Sequence, residues 1–370
     1  MDRETILVTQ PFMPPLSEYV VLLEEIWRSK TLSNFGPIHR QFESRLEEEL
    51  GVESALLVSS GTAGLVALLL ALPEKGEVIT SPFSFAATAT AIAVAGHKPV
   101  FVDIEPNSLN IDPHAVEMAL TNETVAVMGV HCFGNACDVD ALEAVCSASN
   151  VSLLFDAAHA FGVEVNGTSI LARGDASVVS LHATKVLSSV EGGLVVCNDE
   201  VVRERVQQVR NFGFVDAERL NLPGLNMKMN ELSAAFGLLQ LQYLHQMLAV
   251  REHFYSRYVA LIEELPGVRV VSPSKEQSLN FSYMPLLIDG SGRMSRDELF
   301  DFLRSHGIIA RKYFHPLLSS FEAFRSSANL HDLEIATSVA DRIICMPLHA
   351  NLDDGMWFRI ESSMREALGR

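Results

Sequence analysis

Between residues 55 and 155 short apolar runs alternate with helical patterns, and this rhythm restricts the possible folds more than any other feature. Residues 55–59 read as a buried strand, and Ser60-Gly61-Thr62-Ala63-Gly64 opens an apolar helix running to about Leu72. Strands at 77–80, 99–103, 125–130 and 152–155 follow, with helices at 86–95, 113–120 and 138–149 between them. Strands this short and this apolar, each returned by a helix, predict an α/β fold with a mostly parallel sheet covered on both faces. Ligands of such sheets bind at the carboxyl ends of the strands.

Three turns fall at such ends and carry chemistry. Ser60-Gly61-Thr62 sits between a strand and a helix N-terminus, where free amides and the helix dipole favour an anion such as a phosphate. The same residues also suit a plain Ser/Thr helix cap. Asp156 follows the strand VSLLF, and a carboxylate there is costly to bury without a cation beside it. A protonated pyridine nitrogen is one such cation, with His159 in reach of a ring oxygen; a turn cap and a packed histidine are the structural alternatives. Phe85 could stack on a planar ring or simply join the core.

The run VVSLHATKVLSSVEGG, residues 178–193, leaves an apolar strand, passes Ser180, His182 and Thr184, and reaches Lys185 before a double glycine. Partial burial at a sheet mouth would lower the lysine pKa and free the amine as a Schiff-base nucleophile. A loop lysine reaching to water is the alternative. Ser180 is a further candidate phosphate donor.

These pieces resemble the fold-type I pyridoxal-phosphate enzymes, specifically the DegT/DnrJ/EryC1/StrS family of sugar aminotransferases. The matching stretches are SGTAGL (60–65), PFSFAAT (82–88), HCFGNACDVDAL (131–142), DAAHAFG (156–162), SLHATK (180–185), EGG (191–193) and GLNMKMNELSAAFGLLQL (224–241). The resemblance implies a seven-stranded large domain with a smaller α+β C-terminal domain. It implies pyridoxal 5′-phosphate as cofactor, with pyridoxamine phosphate carrying the amino group between half-reactions. Lys185 is then the Schiff-base lysine, Asp156 the partner of the pyridine nitrogen, and His159 the neighbour of the phenolic oxygen, where other members have Gln. Gly61, Thr62 and Ser180 are implied as phosphate ligands and Phe85 as the stacking ring. Asn226 matches an asparagine lent to the neighbouring subunit's phosphate, so a homodimer with a shared active site is expected. Phe35 of the LSNFGP loop, Arg210, Tyr313 and His315 are further candidates for substrate contact. Arg210 could equally be a surface arginine, and Tyr313 and His315 ordinary packing between domains. Family members often have a His shortly after the position of Pro316, where this chain has Leu317 and Leu318.

Several stretches look most like enzymes that convert dTDP-4-keto-6-deoxy-D-glucose to dTDP-4-amino-4,6-dideoxy-D-glucose with L-glutamate. Carbon-3 transaminases of the family share every cofactor motif and remain an alternative, as does a non-catalytic regulator that binds the cofactor or a sugar nucleotide. The family's dehydratases replace the lysine, which Lys185 opposes. A dinucleotide-binding dehydrogenase is opposed by the lack of GxGxxG after the first strand.

Composition narrows the partners. A net charge of -18 disfavours nucleic acid and anionic membranes. The longest apolar run, 64–72, is too short to span a membrane, and residues 1–15 do not read as a secretory signal, so a cytosolic protein is expected. Five cysteines without paired spacing suit reduced thiols. His131, Cys132 and Cys137 find no second cluster to complete a tetrahedral set, and no metal is expected.

The rest of the chain predicts helices at 17–30 and 38–50, with Gly51 as cap, then 200–211 and one long helix over 230–262. Beyond it lie strands at 268–271 and 283–288 and helices at 295–305, 330–341 and 352–368. Two domains are expected, 1–250 and 251–370.

Overall fold

The first strands are buried from end to end, so their backbones must pair inside a sheet, and their neighbours in sequence are helices that cover it. The computed structural model describes residues 5–271, 277–327 and 332–369. In chain order come α1 (Leu16–Ser29), α2 (Pro37–Leu50), β1 (Ala55–Val58), α3 (Gly61–Leu70), β2 (Glu77–Thr80), α4 (Ala86–Val94), β3 (Lys98–Phe101), α5 (Pro113–Ala119) and β4 (Thr124–Val130). They continue with α6 (Val139–Ser149), β5 (Ser152–Asp156), a short hairpin of β6 (Glu164–Val165) and β7 (Thr168–Ser169), β8 (Ala176–Ser180), β9 (Gly193–Cys197) and α7 (Glu200–Val209). Side-chain caps fix the helix starts: Ser60 Oγ accepts from the Ala63 amide, and Asp112, Asp138 and Asp199 cap α5, α6 and α7 in the same way.

The seven-stranded sheet has the order β1-β9-β8-β5-β4-β2-β3. β2 to β5 and β8 run parallel, while β9 is antiparallel to both β8 and β1. The expected mostly parallel sheet is therefore present, with one reversed strand inside it. GLVVC, a continuous apolar run outside the strands expected from sequence, forms β9. β9 places Gly193 opposite both Val58 and Ser180, so the ends of β1 and β8 meet at one point.

The predicted helix over 230–262 is interrupted. α8 (Glu231–Gln242) ends at Tyr243, whose φ of -101° and ψ of 2° break the helix before α9 (Leu244–Glu263). Leu244 and Met247 belong to the core of the first unit, and Phe254, Tyr258, Leu261 and Ile262 to that of the second. α9 thus contributes to both cores.

The second unit is an antiparallel sheet of β10 (Val268–Val270), β11 (Met284–Ile288) and β12 (Ile343–Met346), with α10 (Arg296–Ser305), α11 (Glu334–Ala340) and α12 (Asp354–Leu368). β12 was not expected, and Leu330, the expected start of the preceding helix, lies outside the described residues. Ile6, grouped by sequence with the first unit, packs here instead. Its amide donates to Gly307 O (2.9 Å) and its carbonyl accepts from Ile309 N (2.8 Å).

Trp357 centres this second core, 2% exposed and edge-on to Tyr258 with centroids 4.7 Å apart. Trp357→Ala should cost about 3–5 kcal/mol. The loss is read as a lowered urea midpoint, and a change under about 1 kcal/mol would contradict this packing.

Candidate active site

The site begins where β1 turns into α3. Gly61 and Thr62 line a cavity of about 310 Å³. Among the described residues their amides have no acceptor, as expected for the first turn of a helix. Ser180, at the end of β8, lines the same cavity beside them. This close approach needs Gly193: a Cβ there would meet Gly61 N, Ser60 C and Ser60 O, each at 2.7 Å. A Cβ on Gly61 would meet Ser180 Cβ at 3.0 Å. Two amides at a helix N-terminus and a hydroxyl therefore form an anion cradle.

Asp156 ends β5, 4% exposed, opposite Val130 of β4 and Val178 of β8. Thr88 Oγ1 donates to its Oδ2 at 2.7 Å and the Ala158 amide to its Oδ1 at 3.1 Å. Ser84 and Thr88 share a 2.7 Å hydrogen bond; with the Thr88 proton given to Asp156, Ser84 is the donor to Thr88. Burial raises the Asp156 pKa, and these hydrogen bonds together with Lys185 only partly offset it. The carboxylate therefore favours a further cation on its cavity side.

Lys185 faces the same space. Burial lowers its pKa to about 8, against the opposing pull of Asp156, so a fraction of the amine is neutral at physiological pH. Its Nζ donates to the Tyr283 hydroxyl at 3.3 Å. His159 is buried, and its pKa falls well below the usual histidine value, chiefly through burial and secondarily through Lys185. The Phe133 amide donates to its Nδ1 at 3.1 Å, so the proton of the neutral ring sits on Nε2. Phe133 and Phe314 lie parallel to the His159 ring at 6.3 and 6.1 Å.

The cavity gathers Gly61, Thr62, Phe85, Asp156, His159, Ser180, Lys185 and Tyr313. Phe85 is 62% exposed, an aromatic ring held at the cavity rim rather than in the core. The other four candidates lie elsewhere. Asn226 is exposed on the surface, its backbone bridged to Asn211. His315 is exposed and faces Asp341 at 3.7 Å. Arg210, read from the sequence as either a substrate-contacting or a surface arginine, is 3% exposed and donates to Glu43 Oε1 (2.7 Å) and Leu57 O (2.9 Å). Its guanidinium lies 4.7 Å over the Phe35 ring, so both residues are engaged within this chain. Cys132 and Cys137 are buried free thiols, and no metal-ligating group of three or more is found among the described residues.

Sequence reasoning missed Thr88, Ser84, Tyr283 and Phe314. Ser84 and Thr88 stand four residues apart within PFSFAAT, a spacing that could have paired them. Tyr283 and Phe314 come from the second unit and carry no local signal. The donor set fits a ligand bearing a phosphate, a protonatable ring nitrogen and a carbonyl: the cradle takes the first, Asp156 the second and Lys185 the third.

The pattern of the DegT/DnrJ/EryC1/StrS aminotransferase family matches residues 17–365. A dTDP-4-amino-4,6-dideoxy-D-glucose transaminase of Shigella dysenteriae is 44% identical over 98% of this chain and 99% of its own length. The Escherichia coli enzyme of the same name is 38% identical over 97% and 98%. The crystal structure of DesI in the presence of its TDP-sugar product superposes with a TM-score of 0.94 at 34% identity, covering 100% of this chain and 94% of DesI.

Lys185 titrates below free lysine, so its charged form weakens the folded state at neutral pH, and that cost fades as pH rises from about 8 toward 10.5. Lys185→Met without added cofactor should therefore melt above the parent at pH 7, with the gap closing by about pH 10. Equal melting temperatures at neutral pH would contradict a desolvated amine. Gly193→Val should abolish protection of the protein by inorganic phosphate in the same thermal assay, because the cradle can no longer close.

Proposed function

Since the chain belongs to the DegT/DnrJ/EryC1/StrS aminotransferase family, we propose that it uses pyridoxal 5′-phosphate to move an amino group from L-glutamate to a nucleotide-linked keto sugar. The substrate we assign is dTDP-4-keto-6-deoxy-D-glucose, giving dTDP-4-amino-4,6-dideoxy-D-glucose, on near full-length similarity to two transaminases named for that product. The same similarity favours carbon 4 over carbon 3. The observation that carries the reading is the amine of Lys185 with its lowered pKa, in one cavity with a buried carboxylate and an anion cradle.

In this reading the amides of Gly61 and Thr62 and the Ser180 hydroxyl would hold the phosphate, and Phe85 would offer its ring for stacking. Asp156 keeps the ring nitrogen protonated, and Thr88 aims its carboxylate. His159 offers Nε2–H to the ring oxygen. The cofactor would supply an electron sink for charge developing beside the transferred nitrogen. Lys185 does the proton work: its amine takes the proton from the α-carbon of glutamate and later delivers one to carbon 4 of the sugar. Tyr313 and Phe314 wall the substrate side and help exclude water.

We take the working form to be a homodimer in which Asn226, exposed in this chain, serves the phosphate of the second copy. No helix among the described residues is long and apolar enough to cross a membrane. We assign the enzyme to the cytosol, which suits five buried free cysteines.

Incubation with glutamate and a panel of 3-keto and 4-keto nucleotide sugars should yield the 4-amino product. Borohydride reduction should fix the cofactor on the peptide containing Lys185. Lys185→Ala should lose the label and at least about 10²-fold in rate. Labelling of another lysine, or amination at carbon 3, would overturn the corresponding assignment.

A further inference from the structure

Residues 280–283 carry no motif, yet in the fold they touch two groups of the cavity at once. Asn280 Nδ2 donates to the carbonyls of His159 (2.7 Å) and Phe161 (2.9 Å), and the Ser282 hydroxyl to the His159 carbonyl (2.8 Å). One residue on, the Tyr283 hydroxyl receives Lys185 Nζ at 3.3 Å. The segment is held from behind by Arg251 of α9, 3% exposed, whose Nη1 donates to Phe281 O and Leu348 O, both at 3.1 Å. The segment leading into β11 is thus fastened to α9 on one side and to His159 and Lys185 on the other.

Tyr283 is 8% exposed, and its ring is wedged against His159 (4.7 Å), Phe133 and Tyr313 (5.8 Å each). A buried phenol hydroxyl needs a partner, and among the described residues this one has Lys185 Nζ alone. We infer that Tyr283 is a positioning residue: its hydroxyl, delivered by the second unit, holds the Lys185 amine whenever that amine is free and aims it at the substrate carbon between proton transfers. This rests on the aminotransferase reading of the site.

The hydroxyl suits both states of the amine. Burial pushes the phenol pKa up, so it stays protonated; it accepts from the ammonium and donates to the neutral amine. The bond to the charged form is the stronger. Losing the hydroxyl should therefore favour the neutral amine. The other titratable groups around the cavity are Asp156, His159, His182, Glu191 and Tyr313, with Arg251 behind Tyr283, and Tyr283→Phe leaves all of them in place.

The experiment compares the parent and Tyr283→Phe. In the cofactor-free proteins, trinitrobenzenesulfonate modification of Lys185 is followed against pH by peptide mass spectrometry. The midpoint, about 8 in the parent, should fall by roughly half a unit or more in the variant. Tyr313→Phe, whose ring makes no hydroxyl contact with Lys185, should leave it unmoved. In the loaded enzymes, single turnover with glutamate should slow by about 10- to 100-fold in Tyr283→Phe, with a larger α-deuterium isotope effect and little change in KM. An unmoved midpoint overturns the hydrogen bond, and a moved midpoint with parental turnover overturns its positioning role. Should Tyr283→Phe not fold, Ser282→Ala, which loosens the same segment, must lower the same midpoint or the inference fails. If no amino donor turns over the parent, the activity reading fails, while the midpoint still decides whether Tyr283 holds the amine.

Discussion

Burying a carboxylate at the end of β5 places demands on every element around it. Asp156 can remain there only because Thr88 and the Ala158 amide bond it and because positive charge is close by. Those requirements propagate outward. Thr88 must sit on the first turn of α4, Ser84 must support it, and β4 and β8 must flank β5 so that no water reaches the carboxylate from the sides. The same dry surroundings lower the pKa of Lys185 and keep His159 neutral. One burial event thus shifts three titrations, raising that of Asp156 and lowering those of Lys185 and His159.

The sheet imposes the next requirement. By running antiparallel between β1 and β8, β9 brings the Ser60 turn and Ser180 to the same glycine, and only a residue without a Cβ lets them close on an anion. The reversed strand therefore builds the amide-lined end of the cavity, as the parallel strands build the carboxylate end. The second unit supplies the remaining wall. Tyr283, Tyr313 and Phe314 reach the cavity only because α9 carries the chain across and Arg251 fixes the segment that follows.

Arg210 shows how a cation at a suggestive position can be engaged elsewhere. Its place in a loop after α7 suggested an exposed charge, but Glu43 and the Leu57 carbonyl take it into the interior, where Phe35 covers it. A local pattern gives no hint of a partner 167 residues away. Asn226 shows the reverse. Two residues on, the Lys228 ammonium is engaged by Asn211 Oδ1 at 2.8 Å, whereas Asn226 itself is left exposed.

Neighbouring residues alone were enough to fix the alternating strands and helices, the turn at Ser60, and the presence of Asp156, His159, Ser180 and Lys185 at or just beyond strand ends. These are local matters of periodicity, capping and burial. The backward run of β9, the break at Tyr243, the service of Thr88 to Asp156 and the meeting of Tyr283 with Lys185 emerged from the folded chain and not before. Each depends on which distant surfaces pack together, and a contact across 98 residues, such as Tyr283 with Lys185, leaves no periodic trace in the chain.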